Sequence, residues 1–531
     1  MRLGLACLTV TALVIAVFWA WLGSPIPMPQ APRKAGEKLY CVSYAPFRGL
    51  QTPFDPTTQI PAAQIDEDLS QLAKLTDCVR IYSTDQGLEL VPGIAAKYGL
   101  KVLQGLWLSA DPVKNRVQME AAIGLANRYP DTVRAVVVGN EVLLRGDLSA
   151  IDLIANIRLV KSRVRVPVTY ADVWEFWLRN RDVAGAVDFI TIHILPYWED
   201  FPIPARNAAA HVASIHRKLA DAFTGKEVII GEVGWPSAGR MREGSLPSPA
   251  DQARVIQDVL AFARRDNVRV NVIEAYDAPW KRGLEGTVGG HWGLIDDARE
   301  PKFEWGEAVS NHPHWKLEAA GGILFAALVF GAAWIARRGD DVPLRLWLSV
   351  TANAIVGGAL IGWTIANVPL ESLGISGWLR SVAFAAVAIL TPLVVSAAIM
   401  HGTPLPRFSR LLGPVSECVR NPLARVAGVI LIATTLLAIL AALGLVFDPR
   451  YKDFPFAPLT ASAAPFLIHS LAMPRPSGTH GTAESAAAAL LALSVPYIAI
   501  NETLANWQSL WVCAALAVLS ISLARVCDAP D

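Results

Sequence analysis

The chain has 531 residues, 53% of them apolar and 18% charged, with 47 Lys and Arg against 46 Asp and Glu. That length exceeds one ordinary domain, and a net charge of +1 supplies no bulk field to attract a nucleic acid, so none is expected as a partner. Zinc-ligand spacings, a Walker loop and a Rossmann glycine pattern are all missing, which sets aside the metal-finger, P-loop and dinucleotide classes. Residues 3–23 then open the chain as an apolar run just after Arg2, long enough to cross a bilayer. A cleaved signal peptide is the competing reading. Bulky Trp19 and Trp21 near the end of the run, with no small-x-small site, favour an N-terminal transmembrane anchor over 1–23, followed by a Pro-rich tether over 24–36.

Residues 37–315 carry ordinary charge and alternate short β-rich runs with longer amphipathic stretches, the pattern of a parallel sheet with helices outside it. Strands are expected at Leu39–Tyr44, Val79–Tyr82, Lys101–Trp107, Val133–Asn140, Val166–Ala171, Val187–His193, Glu227–Glu232 and Asn271–Tyr276. Helices are expected between them, among others at Asp66–Leu75, Val113–Tyr129, Leu148–Arg163 and Ala250–Arg265. Such units in this length match a (β/α)8 TIM barrel. Cys41 and Cys78 open two consecutive strands, which leaves a disulfide in an oxidising compartment and two buried free thiols both open.

In a TIM barrel the functional groups collect at the C-terminal strand ends. Here apolar strands end in charged and aromatic residues: Asn140-Glu141 after strand four, His193 with Tyr197 and Trp198 after strand six, Glu232 with Trp235 after strand seven. A retaining glycosidase needs two carboxyl groups about 5–5.5 Å apart, one to protonate the leaving oxygen and one to attack the anomeric carbon. Strands four and seven aim their last residues toward the barrel axis, so Glu141 and Glu232 are expected to face each other across a bound sugar. Asn140 offers an amide to a sugar hydroxyl, and Trp235 an apolar ring to a pyranose face. Tyr197 is placed to hold Glu232, and His193 to orient a neighbour or to donate to a sugar hydroxyl. Arg80, Tyr44, Asp277, Trp280, Lys281 and Trp292 complete the expected cleft, with Trp174, Trp177 and Trp198 as further stacking platforms. This chemistry requires no metal or cofactor.

Beyond Trp315 come about seven apolar stretches, at 317–336, 346–366, 379–400, 426–446, 457–473, 485–500 and 508–524, so 316–531 reads as an all-α transmembrane bundle. The stretches between 457 and 500 are short for spans. Arg337, Arg338 and Arg345, then Arg407, Arg410, Arg420 and Arg425, then Arg475 and Arg525 fall in alternate loops, which positive-inside logic assigns to the cytoplasm. The 37–315 domain then lies on the far side, the periplasm of a bacterial inner membrane. Ionisable residues are nearly absent from the spans, Glu318 and His469 being marginal, which argues for an anchor or docking bundle over an ion-coupled transporter.

Gly-Asn-Glu-Val (139–142) and Gly-Glu-Val-Gly-Trp-Pro-Ser (231–237) resemble the two signature segments of glycoside hydrolase family 17. Val79-Arg80-Ile81-Tyr82 and the run from Glu274 to Lys281 are similar to its fungal members, and the likeness extends over most of 38–312. The resemblance implies a retaining (β/α)8 enzyme acting on β-1,3-glucan, with Glu141 as general acid/base and Glu232 as nucleophile. Plant members carry a Glu just before the His-Trp-Gly-Leu run, where this chain has Gly289 and Gly290, and Glu285 is the nearby substitute. The order anchor, barrel, bundle resembles the NdvC type of bacterial β-(1,6)-glucan synthase, connected with cyclic β-glucans. It implies a transglycosylase that cuts β-1,3-glucan and rejoins it at a 6-hydroxyl, with membrane lipid and a separate glucan synthase as partners. A periplasmic β-1,3-glucan hydrolase and a glucan-binding or assembly factor are the alternatives.

Overall fold

The computed structural model describes residues 2–29, 36–337, 339, 341–413, 419–473 and 481–526. Residues 30–35 of the expected tether, with Arg338, Cys418, Arg475 and Cys527, lie outside the described residues. The chain forms two compact units, one of Ile26–Ala238 with Gly244–Val309, the other of Met1–Pro25, Gly239–Glu243 and Ser310–Asp531.

The first unit is a closed parallel barrel. Its strands are β1 (Cys41–Ser43), β2 (Cys78–Ile81), β3 (Lys101–Leu106), β4 (Val133–Asn140), β5 (Val168–Val173), β6 (Ile190–His193), β7 (Val228–Val233) and β8 (Val270–Val272). They pair in chain order and β8 closes on β1. Strands of this kind are buried on both faces, which is why they read as nearly unbroken Val and Ile runs. Their outer faces, including Val42, Val79, Val102, Val136 and Ile230, pack against Leu69, Ile123, Leu153, Val212 and Ile256 of the surrounding helices. Helix starts follow side-chain caps. Asp111 accepts from Val113 N at 2.9 Å, Ser149 from Asp152 N at 3.2 Å and Ser248 from Asp251 N at 3.1 Å. Each cap satisfies an amide the helix leaves unpaired.

The strand expectations hold for position and shift at their ends. β5 runs 168–173 rather than 166–171, because Pro167 has no N–H for the ladder. β8 ends at Val272. Tyr276, expected within that strand, instead bridges Ile295 and donates its hydroxyl to Asp68 O at 3.1 Å. Cys41 and Cys78 form a disulfide between β1 and β2, inside an apolar layer with Leu103, Ala135, Val137 and Ala171. The interior also holds polar residues. Asn271 donates to Ser43 Oγ at 2.8 Å and to Gly231 O at 2.7 Å, and the Thr169 and Thr191 hydroxyls bond each other at 2.9 Å.

The second unit is helical: Arg2–Leu22, Trp315–Ala336, Leu344–Glu371, Gly374–His401, Phe408–Leu412, Pro422–Phe447, Phe456–Ala472, Thr482–Asn501 and Trp507–Ala524. Seven of these are long and apolar enough to cross a membrane by length and composition. Every expected apolar stretch appears as a helix, but Phe456–Ala472 has only 17 residues and falls short of that length. The outer faces stay apolar, with Leu13, Val17, Leu324, Leu440 and Leu493 exposed. Close helix contact relies on small residues: a Cβ on Gly322 would stand 2.2 Å from Gly358 O.

Candidate active site

The residues at the C-terminal end of the barrel are placed by local irregularities in the ladder. Pairing shifts between Val137 and Asn140 on β4, between Ile192 and His193 on β6, and between Ile230 and Val233 on β7. Such bulges re-aim side chains next to active sites. Gly139, at φ 88°, turns the end of β4, where a Cβ would meet Val142 Cγ2 at 2.7 Å. Glu141 follows in the left-handed region at φ 53° and ψ 34°, its N–H bonded to Ala171 O at 2.8 Å. A non-glycine residue held there stores strain of about 1–3 kcal/mol, typical of functional positions. Gly231, just before Glu232, admits the close packing of β6, since a Cβ would lie 2.3 Å from Thr191 Cγ2.

An oxygen of Glu141, a nitrogen of His193 and an oxygen of Glu232 lie within 4.8 Å of one another. Such a set can suggest a metal, but a guanidinium already supplies the positive charge. Arg80 Nη1 donates to Glu232 Oε1 at 3.1 Å and to Gly231 O at 2.7 Å, and Nη2 donates to Asn140 Oδ1 at 2.6 Å. Arg80 is 1% exposed. With its oxygen occupied, Asn140 keeps its Nδ2 donor for a substrate hydroxyl. Tyr82 donates to Glu232 Oε1 at 2.9 Å. Two donors thus hold one oxygen of Glu232 in place. The Glu141 side chain is 22% exposed, and its Oε1 lies 2.7 Å from His193 Nδ1. Burial pushes the Glu141 carboxyl up, but the hydrogen bond and field of His193, with Arg80 and Arg145, bring it below its usual range on balance.

Around this centre the remaining expected residues divide. Lys281, half-buried, pairs with the buried Glu274, and Glu285 lies close to both. Glu274 is pushed up to about 7 by burial, against the Lys281 charge. Glu285 is raised by burial as well, and feels both Glu141 and Glu232. Trp280 meets Phe54 edge to face at 5.6 Å and is only partly buried. Asp277 receives Lys302 Nζ at 2.6 Å and Gly293 N at 2.9 Å, so it ties down the loop after β8.

Tyr44, Trp235, Tyr197, Trp292 and the stacking candidate Trp177 are buried, Trp177 with its indole N–H on Thr191 O at 2.9 Å. Tyr44 donates to Asp68 at 3.1 Å, behind β1. Trp235 is 0% exposed with its indole N–H on Leu246 O at 2.9 Å, so its ring supports the rim and presents no face to a sugar. Tyr197 packs edge-on against Trp198, Trp235 and Trp292, and Trp292 is likewise covered. The expectation missed Tyr82 and Arg145. Tyr82 lies two residues beyond Arg80, an alternation along β2 that marked it as facing the same interior. Arg145 donates to Asn140 O and, at 2.7 Å, to Leu108 O, and its guanidinium covers the Trp107 ring at 4.3 Å. It sits on a one-turn helix that carries no sequence signal.

Comparison with known proteins agrees with this geometry. Residues 41–293 match the model of the BtgE/BtgC glycoside hydrolase domain. The glucan 1,3-beta-glucosidase of Schizosaccharomyces pombe is 30% identical over 254 residues, covering 44% of this chain and 78% of the relative. The chain belongs to this glycoside hydrolase family. Probable beta-glucosidase btgE of Aspergillus flavus is 30% identical over 225 residues, 41% of this chain, and the chain spans only 36% of that relative's length. A glycoside hydrolase family 17 beta-1,3-glucanosyltransferase from Rhizomucor miehei aligns at 27% identity over 50% of this chain and 95% of the other, with a TM-score of 0.44. The family match covers the barrel and both of its strand-end glutamates.

Proposed function

We propose that this protein is a membrane-embedded retaining glucanosyltransferase that cuts β-1,3-glucan and rejoins it to an acceptor sugar, forming β-1,6 linkages. The observation that carries the reading is the approach of Glu141 and Glu232 to within 4.8 Å between carboxylate oxygens. A single-displacement enzyme that inverts needs about 6.5–9.5 Å between its carboxyl groups to admit a water, whereas double displacement uses about 5–5.5 Å. Glu232, ionised and held by Arg80 and Tyr82, attacks the anomeric carbon. The bond to the leaving oxygen breaks as Glu141 protonates that oxygen. The glycosyl ester on Glu232 is then displaced by an acceptor hydroxyl, whose proton returns to Glu141. Water in place of the acceptor gives hydrolysis instead.

The names of the relatives, glucan 1,3-beta-glucosidase and putative glucan endo-1,3-beta-glucosidase btgC of Aspergillus niger, support β-1,3-glucan as the donor. Those names also favour the second reading, a hydrolase. The seven apolar helices and the alternating basic loops support an inner-membrane location with the barrel on the periplasmic side. The Cys41–Cys78 disulfide fits an oxidising compartment. A helical bundle in the same chain as the active domain suits building a glucan, with a membrane glucan synthase as partner, better than foraging for one. Incubation of the full chain with laminari-oligosaccharides, followed by linkage analysis, tests this. Products longer than the substrate and bearing 6-linked glucose are expected. Shortened chains with free glucose alone would convert the reading to a hydrolase.

A further inference from the structure

The ring of His193, on β6, lies between the two carboxylates: Nδ1 is 2.7 Å from Glu141 Oε1, while Nε2 is 3.2 Å from Arg80 Nη1 and 3.5 Å from Glu232 Oε1. A guanidinium can donate but never accept. Both hydrogens of Arg80 Nη1 go to Gly231 O and Glu232 Oε1, whereas Nδ1 lies against a carboxylate oxygen, which when ionised can only accept, so Nδ1 carries a proton and donates it to Glu141 Oε1. The imidazole is 1% exposed and is closed off from substrate. Among the described residues Oε1 makes the hydrogen bond of the Glu141 side chain, and Oε2 has no protein partner.

We propose that His193 is a positioning residue which, through its Nδ1–H, occupies Glu141 Oε1 and thereby confines the catalytic proton of Glu141 to Oε2. This rests on the retaining mechanism proposed above. A carboxylic acid whose proton can sit on either oxygen wastes half of its protonated population when one oxygen faces the protein. A permanent N–H donor on Oε1 removes that option. The proton then leaves from Oε2 to the glycosidic oxygen as the C–O bond breaks, and the acceptor's proton returns to the same Oε2 as the new bond forms. The same N–H stabilises the ionised form, which suits Glu141 to accept a proton in the transfer step.

The charged groups around the pair are few. Arg80 comes from β2, Asp172 from β5, Glu232 from β7, Arg145 from the turn after Glu141, and Glu285 from the loop beyond β8. Asp172 is turned to Tyr170 and to Val173 N at 2.7 Å, so it does not compete for the imidazole proton. Arg80 and Arg145 favour ionised Glu141, whereas Glu232 and Glu285 oppose it. His193 is the group among them that touches Glu141 directly.

The test uses the full chain with two aryl β-laminaribiosides, one with a phenolic leaving group that needs protonation and one with 2,4-dinitrophenolate, which does not. In His193→Leu, ionised Glu141 loses its donor, so its pKa rises and the basic limb of the phenyl-substrate profile should move up by about one pH unit. The phenyl rate should drop at least 10-fold, while release of dinitrophenolate stays within 3-fold of wild type. His193→Asn, whose amide can donate from near the Nδ1 position, should return the limb toward wild type. An unmoved limb in His193→Leu, or equal loss on both substrates, overturns the proposal in favour of a packing role. A wild-type chain that releases neither aryl group overturns the retaining mechanism itself, and the role of His193 with it.

Discussion

In the barrel unit polar side chains turn inward and bond one another: Asn271 to Ser43, Tyr82 to Ser43 and Glu232, Arg80 to Asn140 and Glu232. In the helical unit many hydroxyls turn back on their own helices, although Ser520 donates to Ala488 O of a neighbouring helix at 2.8 Å and Ser396 accepts from Asn353 at 3.1 Å. Thr11 donates to Cys7 O at 2.9 Å, Thr364 to Leu360 O at 2.9 Å, and Thr435 to Leu431 O at 2.8 Å. Both interiors are buried, and a buried polar group left unpaired is costly. The barrel answers with a network between strands, whose geometry can aim a proton. The helices answer largely locally, four residues at a time. The outer surfaces differ in the same sense, since the helical unit keeps Leu and Val outside, where the barrel has its capped amphipathic helices.

Substitutions can break this contrast at graded cost. The largest effect is expected from Glu141→Gln, which should lower turnover of a substrate with a poor leaving group by about 10²–10⁴-fold while the fold persists, as initial rates and circular dichroism would report. Next comes the covalent staple between β1 and β2. Replacing Cys41 and Cys78 by Ala should cost about 2–4 kcal/mol, read as a lower unfolding midpoint of the oxidised wild type's barrel transition.

A smaller, pH-dependent effect belongs to Asp172, which burial pushes up to about 6. Because its folded value lies above the ordinary one near 3.9, its contribution is fully present below about pH 4 and is lost as pH rises through 6. Wild type should therefore lose about 2–3 kcal/mol relative to Asp172→Asn between pH 4 and 7, followed by thermal unfolding at each pH. The least effect is expected in the helical unit. Thr435→Val removes a bond made only to its own helix and should change stability by less than about 0.5 kcal/mol, measured by the same melts. A loss as large as those in the barrel would mean that the helical unit also depends on networks between elements.

Much of the site was legible because a strand imposes a period of two and a sharp end. Asn140-Glu141 and Gly231-Glu232 stand out as polar pairs after unbroken Val and Ile runs, and Arg80 as a charge inside such a run. What failed concerned loops. Trp235 looked like a sugar platform, yet whether a ring beyond a strand end is open depends on which later segment covers it, here the one that carries Leu246. Arg145 was invisible because a four-residue helix has no periodicity to display. The end of β8 was overextended for a related reason. Ile273, Ala275 and Tyr276 are apolar or aromatic as in a strand, but Tyr276 is drawn off to Ile295. In the helical unit, hydropathy located every long helix and marked 457–473 as short, as Phe456–Ala472 is with 17 residues, whereas the other stretch read as short, 485–500, lies in the 20-residue helix Thr482–Asn501.

The most direct measurement is covalent trapping. A 2-deoxy-2-fluoro-β-laminaribiosyl fluoride slows both steps but keeps a good leaving group, so a double-displacement enzyme should stall as the ester. Mass spectrometry of the digested protein should find one fluoroglycosyl group, on Glu232, with none in Glu232→Gln. A label on another residue, or an α-configured first product seen by proton NMR with the natural substrate, would contradict Glu232 as the nucleophile facing Glu141.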